Sequence, residues 1–338
     1  MQASEFSYHL PEASIAQSAI EPRDAARLLV ASTLSSHRFS DLPQLLREGD
    51  LLVVNRTRVR AARLHAVRHG TGGTVEVLLT KRVDETRWEA LLRPARRMRA
   101  GVVLQADGVR IELLSHPVNG VASVGLTAGG DIEQAISVAG EIPLPPYFRG
   151  QLDDDERYQT IFAETTGSAA APTSALHFTP QLVSELSQGG IRIVAVDLDI
   201  GLDTFRPMAD GEVTGHVIHR EEYAVPAETA AAIDAARANR DRIVAVGTTV
   251  VRTLETAVAP DATMRAGAGE SDLFIVPGFK PRIVDAMITN FHAPQTTLIV
   301  MIAALLGDRW RTVYDRALAE DYRFLSFGDA MFIDEFAR

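Results

Sequence analysis

The chain contains no cysteine. Disulfides, thiolate metal sites and a cysteine nucleophile are therefore excluded. Lysine is nearly absent too, since of 34 basic residues all but Lys81 and Lys280 are arginine. No apolar run is long enough to span a bilayer; the longest, residues 298–306, reads as a buried helix. The opening MQASEFSYHLPEAS lacks the basic and apolar regions of a signal peptide. A cytoplasmic protein without a membrane partner is expected, with its oligomeric state left open. The dinucleotide-binding glycine pattern, the P-loop and the serine nucleophile elbow are all missing.

What is present is ordinary in bulk, with 46% hydrophobic and 23% charged residues. A length of 338 residues suits two domains or one large one, with ample core. The formal net charge of −10 argues against nonspecific adhesion to nucleic acid or anionic membrane. A local basic face remains compatible with it. Arginines cluster at Arg56, Arg58, Arg60 and Arg63, and again at Arg93, Arg96, Arg97 and Arg99. Planar guanidinium groups bind phosphates and stack on bases, so the second cluster is a candidate RNA contact. Solvated surface is the alternative reading for any single arginine.

From residue 64 to 126 short alternating segments (74–79, 88–92, 102–104 and 109–113) are punctuated by glycine and aspartate. They predict a small antiparallel barrel or sandwich. After residue 170 the pattern changes. Thr179-Pro180 predicts an N-cap and first-turn proline for a short helix stopped by glycine. Strands are expected at 191–198, 243–246, 273–276 and 283–288, and helices at 227–240, 250–257, 297–306 and 311–322. Such alternation indicates an α/β fold with a largely parallel sheet and helices, carrying the inserted small antiparallel β-barrel domain. The expected division is an α/β domain from residues 1–62 plus 140–338, with the barrel at 63–139.

Between Gly140 and Thr179 the chain is rich in Pro, Gly, Tyr, Gln and His but poor in apolar periodicity. A long irregular stretch of this kind is commonly a binding loop rather than an element. The turn Val246-Gly247-Thr248-Thr249 joins a strand to a helix whose unpaired N–H groups suit a carboxylate or phosphate, with Arg252 in the first turn. An ordinary capped turn is the other reading. His216 and His219, followed by Glu221 and Glu222, are spaced for a metal, but no further cluster completes a set. Proton transfer suits these imidazoles better, with solvated surface histidines as the alternative, and His177 lies in the irregular segment. His292 follows a strand end, where open α/β sheets bind ligands. Asp329 sits in a turn as a site carboxylate or an Asx turn.

Ordered blocks along nearly the whole chain carry a resemblance. They are Phe6-Ser7-Tyr8-His9-Leu10-Pro11, Asp50-Leu51-Leu52-Val53-Val54-Asn55, Gly140-Glu141-Ile142-Pro143-Leu144-Pro145-Pro146-Tyr147, Arg157-Tyr158-Gln159-Thr160 and Ala170-Ala171-Pro172-Thr173. Ala245-Val246-Gly247-Thr248-Thr249, Thr289-Asn290-Phe291-His292 and Gly328-Asp329-Ala330-Met331 complete the series. Together they resemble the S-adenosylmethionine:tRNA ribosyltransferase-isomerase family of queuosine biosynthesis. The resemblance implies an α/β domain bearing a β-barrel. It implies transfer and isomerisation of the ribosyl part of S-adenosylmethionine onto 7-aminomethyl-7-deazaguanine in tRNA, giving epoxyqueuosine, adenine and methionine. S-adenosylmethionine would be the consumed ribosyl donor, tRNA the partner, and no metal is expected.

On this resemblance the catalytic set is expected at His177, His216, His219 and Glu221. Binding residues are expected at Tyr158, Gln159, Thr173, Arg206, Gly247, Thr248, Thr249, Arg252, Asn290, His292 and Asp329, with RNA contacts at Arg93, Arg96, Arg97 and Arg99. The methionine carboxylate would lie on the Thr248/Thr249 helix start, with Arg252 as countercharge.

Four positions depart from the family pattern and are candidates for altered specificity. Ser174, with Ala175, replaces Ala-Gly. Asp199 and Asp203 stand where a histidine and a glycine are usual, and Gln295 replaces a lysine. These changes make the site more negative by about two to three charges. They keep open a divergent member with a small-molecule or other non-tRNA acceptor, and a non-catalytic RNA- or ligand-binding relative. The titratable groups that remain speak for an enzyme.

Overall fold

A computed structural model describes residues 1–150, 152, 154–199, 208, 211–216, 218 and 220–337. The chain forms two compact units. The first comprises Met1–Arg58, Pro145–Thr166 and Ala171–Arg338; the second comprises Val59–Leu144 and Gly167–Ala170. The return of Gly167–Ala170 to the second unit is not anticipated by boundaries at residues 62 and 140.

The first unit is built on a nine-stranded sheet. Its order is Gly267–Ser271, Glu221–Val225, Arg192–Asp199, Leu51–Asn55, Ile243–Val246, Ala286–Asn290, Ala330–Ile333, Arg27–Val30 and Ser35–Arg38. The run from Arg192–Asp199 to Ala286–Asn290 is parallel. Antiparallel pairs on both flanks make the whole sheet mixed. Period-two geometry explains the core. Leu28 and Val30, Leu52 and Val54, Val244 and Val246, Ala286 and Ile288, and Ala330 and Phe332 bury one face. Helix Pro180–Gln188 lays Leu182 and Leu186, four residues apart, on that face. It starts as its sequence predicts, with the Thr179 side chain accepting from Leu182 N at 3.1 Å.

Helices Ala227–Asn239, Thr248–Ala257, Thr297–Leu306 and Arg309–Ala319 match expected helices, shifted by at most a few residues. The strand expected at 273–276 does not form. The carbonyl of Leu273 accepts from the Arg252 Nε at 3.0 Å instead of joining a ladder, and the edge strand is the preceding Gly267–Ser271. The segment 140–179 is mostly irregular, broken by the short helical turns Asp155–Tyr158 and Thr173–Ala175 and strand Thr165–Ser168. No helix among the described residues is long and apolar enough to cross a membrane.

The second unit is an antiparallel barrel. Strands Arg63–Arg68, Thr74–Arg82, Arg87–Arg93, Val121–Ala128, Val109–Leu113 and Val103–Ala106 pair in that order, and the first closes on the last. Alternate residues fill it, among them Leu64, Val75, Val77, Trp88, Leu104, Ile111 and Val124. Helix Ile132–Ala139 follows, capped by Asp131, which accepts from Gln134 N at 2.8 Å.

Candidate functional site

Parallel strands Ile243–Val246 and Ala286–Asn290 end at the same edge of the sheet, in register Val246 to Ile288. The antiparallel strand Ala330–Ile333 begins there, with Ala330 opposite Asn290. Chain thus has to leave the sheet here several times, and the departing turns enclose a cleft of about 630 Å³, its open mouth included. Its walls include Tyr147, Thr173, Ser174, Thr248, Asn290 and His292. Carboxyl ends of strands are the usual place for ligands in open α/β sheets.

Gly247 makes one wall possible. It lies at φ +101° and ψ 151°, a region essentially reserved for glycine, and precedes helix Thr248–Ala257. The N-cap glycine has no side chain to cap that helix, and its first residues Thr248 and Thr249 line the cleft. An anion is the complementary ligand for such an end.

Asn290 is the hub of the opposite wall. Its Oδ1 accepts from the Thr173 Oγ1 at 2.8 Å and the Ser174 Oγ at 3.2 Å. Its amide nitrogen then faces the Asp329 carbonyl and the His177 Nε2, each at 3.4 Å. The Thr173–Ala175 turn, the strand end and the Asp329 turn are thereby tied to one side chain. Since Nδ2 is the donor, the His177 Nε2 must be the acceptor.

His177 is buried against Phe39, ring centroids 5.0 Å apart. Burial pushes its pKa down to about 3; a hydrogen bond to the Arg23 backbone opposes the shift, and the positive charges of Arg323, Arg157 and Arg23 reinforce it. His292 is likewise pushed down to about 3 by burial. Its Nε2 lies 3.0 Å from the Thr289 Oγ1, its N–H donates to the Tyr314 hydroxyl at 3.1 Å, and its carbonyl accepts from the Tyr8 hydroxyl. Both imidazoles are therefore neutral near pH 7. Tyr147, which shares a hydrogen bond with Ser326, is pushed up to about 12 chiefly by burial.

The expected site residues thus divide into groups. His177, Thr173, Ser174, Gly247, Thr248, Thr249, Asn290 and His292 meet at or directly behind the cleft. Tyr158 is fully buried against Phe327, and Gln159 is buried with its carbonyl accepting from the Arg23 Nη1 at 2.7 Å. The Asp329 carboxylate accepts from the backbone N–H groups of Arg27 and Arg323 at 2.9 and 2.8 Å and so shapes its turn. A second cluster gathers Glu221 and Arg252. The Arg252 Nη1 donates to Glu221 at 2.5 Å, while its Nε and Nη2 hold the carbonyls of Leu273 and Ser271. Arg252 is not on the cleft wall. His216 is half-buried, 5.9 Å from the Phe274 ring.

His219, Arg206 and Asp203 lie outside the described residues. Asp199 ends a strand opposite Glu222, and Gln295 is held at φ +55° by backbone bonds with Phe6 and Met208. Arg93, Arg96, Arg97 and Arg99 are exposed on the barrel unit. Tyr147, Thr296, Leu325 and Ser326 were not expected in the cleft; only Tyr147, in its rigid Pro-Pro-Tyr segment, carried a sequence signal. Among the described residues no group of three or more His, Asp or Glu is arranged to hold a metal.

The fold defines an α/β protein with a cleft at the strand ends and an appended β-barrel. The family model described as queuosine biosynthesis protein matches residues 3–333. The chain is 47% identical to a protein of Symbiobacterium thermophilum named S-adenosylmethionine:tRNA ribosyltransferase-isomerase, over 98% of this chain and 100% of that one. A protein of Moorella thermoacetica with the same name is also 47% identical, with the same coverage. A crystal structure of S-adenosylmethionine tRNA ribosyltransferase from Thermotoga maritima aligns at TM-score 0.55 and 34% identity, covering 98% of this chain and 100% of that one. This chain belongs to the queuosine biosynthesis protein family and is an enzyme of the ribosyltransferase-isomerase class.

Proposed function

We propose that the chain transfers and isomerises the ribosyl moiety of S-adenosylmethionine onto 7-aminomethyl-7-deazaguanine in tRNA, forming epoxyqueuosine and releasing adenine and methionine. The observation that carries this reading is the cleft itself. An uncapped helix start at Thr248 and Thr249 faces a polar hub at Asn290, in a chain 47% identical to proteins bearing that name. The methionine carboxylate rests on the Thr248/Thr249 N–H and hydroxyl groups. Arg252 supports that helix from behind through Glu221 rather than by touching the carboxylate.

The sulfonium acidifies its neighbouring 5′-methylene, so a base removes a proton there, and departing adenine takes one up. His177 and His292, held neutral, serve as fixed hydrogen-bond partners. Proton transfer falls to His216 and His219 with Glu221. Mass spectrometry of tRNA bearing 7-aminomethyl-7-deazaguanine, after incubation with S-adenosylmethionine, tests the reaction. Adenine and methionine release with a matching gain on the tRNA is expected. Turnover without that gain would move the acceptor to a small molecule, and full activity in His216→Ala and His219→Ala variants would remove the proton-transfer assignment.

A further inference from the structure

We infer that one end of the barrel is a docking surface for the sugar-phosphate backbone of tRNA. The inference rests on the function proposed above and assigns a surface to its macromolecular substrate. Strand registers bring the turns 69–73, 94–102 and 114–120 to a single end. Backbone bonds lace them together: His69 N to Val103 O at 3.0 Å, Gly101 N to Leu113 O at 2.8 Å, and Leu92 N to Gly120 O at 2.8 Å. None of the three turns contains an aspartate or glutamate. The other end is of opposite sign, with Asp84, Glu85 and Asp107 in its turns. Asp84 is held down to about 2 by hydrogen bonds from Thr86 and Arg87.

At the cationic end Arg93, Arg96, Arg97 and Arg99 are exposed, as are His69 and His116. None of these arginines forms an ion pair among the described residues, in a protein whose other surface arginines are commonly paired with carboxylates. The turn is built to present them. Met98 is buried at 6% exposure and pins its middle, and its N–H donates to the Ala95 carbonyl at 3.0 Å. Arg97 sits at φ +71°, unusual for a residue with a side chain. Clustered guanidinium groups repel one another, and a polyanion relieves that repulsion while accepting paired hydrogen bonds. The chain's net charge of −10 disfavours loose binding of RNA, so a confined cationic patch fixes where RNA docks.

The test measures tRNA binding by fluorescence anisotropy across a salt series, for the full chain and an Arg96→Gln/Arg97→Gln/Arg99→Gln variant. Loss of three phosphate contacts lowers the slope of log affinity against log salt by about two to three and weakens binding by about tenfold or more at low salt. S-adenosylmethionine binding, read by calorimetry, stays unchanged and reports intact folding. An Asp84→Asn/Glu85→Gln/Asp107→Asn variant at the other end shows no weakening. Equal affinity and slope in the arginine variant and wild type overturn the inference while leaving the product assay untouched. A wild type that neither binds nor modifies tRNA removes both.

Discussion

Lowering the pH should destabilise the protein through two imidazoles, His177 and His292. Both fold into surroundings that push the pKa from 6.5 to about 3. Above pH 6.5 neither folded nor unfolded state carries the charge, so the neutral burial is fully tolerated. Between 6.5 and 3 the unfolded imidazole takes up a proton that the folded one refuses. Stability therefore falls with pH across that window, by about 1.4 kcal/mol per pH unit for each histidine. From pH 7 to pH 5 the loss is about 2 kcal/mol each. Urea unfolding of wild type, His177→Gln and His292→Gln at several pH values isolates the effect, because carboxylate contributions cancel in the differences. The stability of wild type relative to either variant should decline by about 2 kcal/mol over that range. In parallel, the imidazole proton resonances of the folded protein should not titrate down to pH 5. A pH-independent difference, or an imidazole titrating near 6.5, would refute the reasoning. The same result bears on catalysis, since an activity limb near neutrality must then come from other groups.

Gly247→Ala should cost about 1–3 kcal/mol, or raise the KM for S-adenosylmethionine where the turn relaxes, because φ +101° is open to glycine alone. An added Cβ would meet nothing closer than the Ser174 Oγ at 3.8 Å, so the strain lies in the backbone, and calorimetry with substrate kinetics checks it. Glu255→Ala should cost about 3 kcal/mol or more in chemical denaturation. Its buried carboxylate accepts from Arg282, Ile283 and Val284 N–H groups at 2.9, 3.1 and 3.0 Å, and the variant strands all three donors. Arg252→Leu should cost about 3–5 kcal/mol by removing the buried cation that pairs with Glu221 and holds the Leu273 and Ser271 carbonyls. A stable Arg252→Leu protein with a large rise in KM would instead make Arg252 a substrate ligand.

Much of the frame was legible because local rules and tertiary context agree. The alanine-rich helix at Ala227–Asn239, the Thr179 cap and the alternating barrel strands each satisfy propensity and burial together. The failures have physical causes. Leu273–Val276 looks like a strand, but an arginine side chain takes a carbonyl the ladder would have used. Glu221–Val225 was hidden by its charged start, since Glu221 is buried in an ion pair with Arg252. The cleft was half visible. Gly247 and the threonines announce a helix start, and His292 a strand end. Nothing local to Ser326 or Leu325 signals that a turn more than 150 residues beyond Tyr147 supplies the same wall.

Asn290 also gathers the two hydroxyls of the Thr173–Ala175 turn. Ser174 adds a hydroxyl 3.2 Å from the Asn290 Oδ1, which already accepts from Thr173. A carbonyl oxygen has two lone pairs, so the second donor fills a vacant direction rather than competing for an occupied one. The Asp329 carbonyl can only accept, so a flipped amide would set Oδ1 against it, whereas the two hydroxyls serve either orientation. The neighbouring His177 then keeps an unprotonated Nε2 to meet Nδ2. Ser174 thus adds one hydrogen bond to the hub and no net charge. Asn290 in turn rides on a strand whose lead-in is fixed by Glu255, from the helix that begins at Thr248. The two walls of the cleft are therefore one mechanical unit.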